Sequence, residues 1–128
     1  MIFLSQISLI ISQTLYVSPT TPCTICDGSL LNPYPDISAA IASLLPSTTT
    51  IYLLDGTYQG TENTAISISN RDLKITSKNG PNLTIIDCDG SSSGFLLSNG
   101  IFNITGIKFE GCSKFVLGNL KPTSEIGR

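Results

Sequence analysis

Ile51, Leu73, Phe95 and Leu117 stand 22 residues apart along the chain, and Ile66, Ile86 and Ile107 form a second series with steps of 20 and 21. The tripeptides Asn82-Leu83-Thr84 and Asn103-Ile104-Thr105 repeat the 21-residue step in plain letters. Two interleaved series with a common step are what stacked solenoid turns produce, because each turn must place equivalent residues beneath those of the last. Between these positions run short β-branched segments, 50–53, 65–69, 73–76, 84–87, 95–97 and 101–109, separated by Gly, Asn and Ser. Ile66 and Ile68, then Leu73 and Ile75, alternate with polar residues, so one side of each strand faces a core and the other faces solvent. Leucine-rich repeats have a similar period, but their L-x-x-L-x-L-x-x-N pattern is missing. A β-sandwich also tolerates strands at this spacing. The even period and the Ile-rich inward positions favour the coil.

One helix is expected ahead of the coils, over residues 36–45. Asp36 is a good N-cap and follows Pro35. Ile37, Ala40, Ile41, Leu44 and Leu45 form a single apolar stripe, and Pro46 ends it. Such a helix would cover the open end of the first coil.

Charge narrows the function classes. The chain of 128 residues has a net charge of -2, and all seven Lys and Arg lie at or after Arg71. No phosphate-binding stripe or polybasic membrane patch can be built from that distribution, so neither nucleic acid nor an anionic membrane is an expected partner. The absence of His removes the commonest general base and His-ligated zinc. The length suits one domain.

Residues 1–13 read as a signal peptide, apolar from Ile2 to Ile11 but too short to span a bilayer. Residues 14–35 form a lead-in with a CxxC, 36–120 a partial solenoid with its cap helix, and 121–128 a tail, read as truncated. The sequons make Asn82 and Asn103 candidate glycosylation sites. With four cysteines, an even number, they point to an extracellular or cell-surface protein.

Residues 14–112 resemble the N-terminal part of a right-handed parallel β-helix of the pectin lyase-like superfamily. The carrying residues are Thr14-Leu-Tyr-Val-Ser-Pro19, Asn32-Pro-Tyr34, Ile37-Ser-Ala-Ala-Ile41 and Thr50-Ile-Tyr-Leu-Leu-Asp-Gly-Thr-Tyr58. Leu73-Lys-Ile-Thr-Ser77, Thr84-Ile-Ile-Asp-Cys88 and Ile107-Lys-Phe-Glu-Gly-Cys112 continue it. The Cys and Asn-Gly usage is similar to extracellular β-helix proteins of social amoebae. The resemblance implies an all-β fold of three to four N-terminal coils, and it implies location better than activity.

Few residues invite chemistry. Asp87 and Asp89 in Ile-Ile-Asp-Cys-Asp-Gly share one side if extended, which makes them weak calcium candidates, although Asp-x-Asp-Gly is ordinary turn chemistry. Arg71 and Asp72 read as a solvated corner, Ser91-Ser-Ser-Gly94 as a flexible loop, and Tyr52 and Tyr58 as inward-packed aromatics rather than a sugar-stacking face. Cys23 and Cys26 read as a structural pair, and Cys88 and Cys112, 24 apart and close to one coil, are placed to meet on adjacent turns. Three pairings remain open. No catalytic residue, cofactor or metal site is expected. The reading is a secreted, non-enzymatic scaffold that contacts carbohydrate or an extracellular protein. Its rival is the N-terminal fragment of a polysaccharide lyase or glycoside hydrolase with catalytic coils elsewhere.

Overall fold

The computed structural model describes residues 12–118, with the side chains of all but 91, 92 and 115–118. The expected signal peptide (all but its last two residues) and the tail at 121–128 lie outside these. The order is β1 (Gln13–Val17), α1 (Ile37–Ala42), β2 (Thr48–Leu53), β3 (Gly56–Gln59), β4 (Ile66–Ser69), β5 (Leu73–Ser77), β6 (Thr84–Ser98), β7 (Phe102–Thr105) and β8 (Lys108–Gly118). Strands make up 49% of the structure against one six-residue helix, so the chain is mostly β.

Every strand pairing is parallel. One sheet runs β1-β2-β5-β7, and the other runs β3-β6-β4 with β8 also on β6. The long β6 belongs to two ladders. Its start pairs with β3 and the start of β8, and its end pairs with β4 and the end of β8. The sheets curl around a shared core. Leu15, Ile51, Ile75 and Ile104 lie in register down the first sheet and are buried throughout. Tyr58 and Ile86, and Ile66 and Phe95, do the same in the second. Period-2 alternation produces this directly, since every second side chain points inward.

The register differs from the 22-residue series. Ile51 pairs with Ile75 rather than Leu73, Leu73 pairs with Phe102, and Phe95 belongs to the other sheet beside Ile66. Steps between paired residues range from 20 (Ser92 to Cys112) to 36 (Leu15 to Ile51), because the connections joining the strands differ in length. The Ser91-Ser-Ser-Gly94 run is also part of β6 rather than a loop.

The helix begins where expected and ends early. Asp36 accepts a hydrogen bond from the Ala39 N–H at 2.8 Å, and Ser43 closes α1. The residue ahead of Pro46 is disfavoured in helical geometry, and the Leu45 N–H instead meets Thr48 Oγ1 at 3.0 Å. Ile37 and Ala40 face the core, whereas Leu45 is half-exposed. Asn63 anchors the helix start. It accepts from the Ile37 N–H at 2.8 Å and donates to the Gln59 carbonyl at 2.9 Å. The outer edge of β1 is covered by the chain that follows it: Tyr16 N–H donates to Gly28 O at 2.7 Å, and Ser18 N–H to Tyr34 O at 2.9 Å. Covering an edge strand in this way blocks further pairing there.

Candidate functional site

The outer surface of the first sheet carries a regular array. Thr14, Thr50, Lys74 and Asn103 stand in register across β1, β2, β5 and β7, and Tyr16, Tyr52, Thr76 and Thr105 form the neighbouring row. Parallel pairing spaces equivalent side chains about 4.8 Å apart along such a row. The Tyr16 and Tyr52 rings stack at 5.5 Å between centroids and 17° between planes. Thr105 Oγ1 donates to Thr76 Oγ1 at 2.9 Å. Lys74 is the single charge among these eight side chains. The array holds hydroxyl, amide and ammonium groups on a rigid parallel sheet. Because each Tyr ring gives one face to the other, the pair contributes ring edges and hydroxyls more than an open stacking surface.

Tyr52 therefore departs from the inward packing expected of it, while Tyr58 follows it. Tyr58 is fully buried, and its hydroxyl contacts the carbonyls of Val17 at 3.0 Å and Leu54 at 2.7 Å. Burial pushes its phenol pKa up from the ordinary 10.0. The difference is one of parity: Tyr52 and Tyr58 sit on separate strands, and the corner at 54–55 resets which side faces in.

Asp87 and Asp89 line a groove of about 420 Å³ with Gln59, Gly60, Thr61, Thr64 and Cys88. They do not share an extended strand face, because Asp89 has φ 56°, which breaks the alternation. Asp87 Oδ2 accepts from Gln59 Nε2 at 2.9 Å, and Oδ1 accepts from the Asp89 N–H at 2.9 Å. These bonds, the Gln59 one first, hold the Asp87 carboxyl below its ordinary range. A general acid for glycoside cleavage needs the opposite shift. Among the described residues no group of three His, Cys, Asp or Glu side chains gathers to hold a metal.

All four cysteines are paired, Cys23 with Cys26 and Cys88 with Cys112. The second bridge joins β6 to β8, with 4.8 Å between Cα atoms. The first closes a loop beside a second groove of about 650 Å³ lined by Pro22, Cys23, Thr24, Ile25, Asp27 and Asn32. Asn82 and Asn103 are both exposed, the first in the turn before β6 and the second on the outer row of β7. Arg71 is not simply solvated. Its Nη2 donates to the carbonyls of Leu45 at 2.7 Å and Thr48 at 2.9 Å, tying the helix connection to the corner before β5. Asp72 acts beside it by accepting from the Ile101 N–H at 2.8 Å.

A stacked sheet face rich in Ser, Thr and Asn is what the sequence suggests, but the residues that make up the array were not singled out from it. Their signal was present, however, in the Thr-x-Tyr spacing shared by Thr14-Leu-Tyr16 and Thr50-Ile-Tyr52. Among the described residues no helix is long and apolar enough to cross a membrane. The chain matches no protein-family model, no curated protein and no solved structure.

Proposed function

We propose that this chain is a secreted or cell-surface parallel β-helix of the pectin lyase-like kind, a non-enzymatic scaffold whose first sheet contacts an acidic polysaccharide. The observation that carries the reading is the outer array of Thr14, Thr50, Lys74 and Asn103 beside Tyr16, Tyr52, Thr76 and Thr105. A polymer with repeating hydroxyl and carboxylate groups meets a repeating row of donors, and the Lys74 ammonium offers it the one charge among the eight side chains of the array. The two disulfides support an oxidising compartment. The engaged, acid-shifted Asp87 gives the enzyme reading no support.

Affinity electrophoresis tests this. The folded protein should be retarded in gels containing polygalacturonate and less so in gels containing a neutral glucan. Lys74→Ala and Tyr52→Ala should each weaken the retardation. Mobility unchanged by either polymer would remove the carbohydrate contact, and release of unsaturated uronides would turn the reading to a lyase.

A further inference from the structure

The sequon at Asn82 poses a question that the sheet surface does not answer. Asn82 is exposed in the turn between β5 and β6. That turn is held by the Leu83 N–H on Gly80 O at 3.2 Å and by the Gly56 N–H on Leu83 O at 2.8 Å. Thr84, two residues on, opens β6 in register with Gly56 and is completely buried. Its hydroxyl makes no hydrogen bond among the described residues. A buried hydroxyl without a partner destabilises a fold, and Val would occupy the same space without that penalty. The packing thus supplies no reason for Thr at this position. The second sequon differs, because Thr105 has a structural partner in Thr76 at 2.9 Å.

We infer that Asn82 is an N-glycosylation acceptor, and that the Thr84 hydroxyl serves while the chain is still extended, before β6 folds and buries it. The reaction takes a lipid-linked oligosaccharide as donor. The Asn82 amide nitrogen bonds to the anomeric carbon, and the anomeric C–O bond to phosphate breaks. The lipid pyrophosphate leaves with the electron pair, and the amide nitrogen gives up one proton. Once attached, the glycan stands at the corner between the two sheets, since Asn82 follows β5 of the first and precedes β6 of the second. The array around Lys74 stays open. A glycan on Asn103 would instead lie within that array, beside Lys74.

The inference rests on the secretory reading above, and the test separates the two. The Asn103→Gln protein is expressed in a eukaryotic host, once with its own N-terminus and once behind an established secretory leader. Behind the leader, treatment with a peptide N-glycosidase should lower the mass by one glycan. Thr84→Ser should keep that shift, while Thr84→Val and Asn82→Gln should abolish it. Unglycosylated bacterial protein carrying Thr84→Val should melt no lower than its parent. Leader-directed protein with Asn82 unmodified overturns the inference, as does a Thr84→Val variant that melts several degrees lower. Retention of the native-terminus protein in the cytosol overturns the secretory reading instead.

Discussion

A Cβ atom on Gly100 would lie 1.8 Å from the carbonyl oxygen of Arg71 and 2.8 Å from its carbonyl carbon. The two residues occupy the same corner on successive passes of the chain, each following an asparagine with positive φ, Asn70 at 61° and Asn99 at 55°. Backbone therefore rests directly on backbone there. Gly100→Ala should destabilise the protein by about 2 to 3 kcal/mol, since neither main chain can yield as a flexible side chain would. Gly60→Ala, where the added atom meets open space and only φ +85° opposes it, should cost about 1 kcal/mol. Urea titrations of the two variants check the ranking, and equal losses would show that the corner yields.

The two disulfides should differ in value. Cys88–Cys112 closes a separation of 24 residues and Cys23–Cys26 one of 3. Chain-entropy reasoning gives about 3 to 4 kcal/mol for the longer loop and about 2 kcal/mol for the shorter. Replacing Cys88 and Cys112 together by Ser should lower the denaturation midpoint more than replacing Cys23 and Cys26. The reverse order would mean that the bridge in the lead-in holds the cap of β1.

Asp87 predicts an acid-side dependence. Its folded carboxyl lies below the ordinary 3.8, chiefly through Gln59. Such a group contributes stability that is present above the unfolded value and is lost as pH falls through the folded one. A side-chain carboxyl titration by NMR should place its midpoint below 3.8, and Gln59→Ala should move it back up. An unmoved midpoint would show that the Asp89 N–H carries the shift.

Tyr58 predicts an alkaline one. Its raised pKa means stability that is complete below the unfolded value near 10.0 and is lost as pH rises toward the folded value. Tyr58→Phe should flatten that alkaline loss. It should also cost about 1 to 2 kcal/mol at neutral pH, because the Val17 and Leu54 carbonyls lose their shared donor. Thermal melts from neutral pH through the alkaline range measure both effects.

Much of this was legible in the chain itself. Alternation at Ile66, Ile68, Leu73 and Ile75 marked strands with one buried side, and those four residues are buried. Asp36 marked the start of α1 correctly, since an N-cap is set by a side chain and the backbone three residues on. The cysteine spacing left three pairings open, and the fold selected one of them by bringing β6 beside β8.

What sequence by itself determined, then, was the class of structure: a chain of short strands with one inward side, and the start of its helix. Those features depend on residues two to four positions apart, where backbone geometry alone relates them. Only the tertiary structure decided the register, because each corner adds its own number of residues before the next strand begins. Ile75 rather than Leu73 came to lie beside Ile51 for that reason. The same choice placed Tyr52 against Tyr16, Arg71 against the carbonyls of Leu45 and Thr48, and Gly100 against Arg71. These contacts join residues 23 to 36 positions apart, where spacing no longer says which side chains will meet.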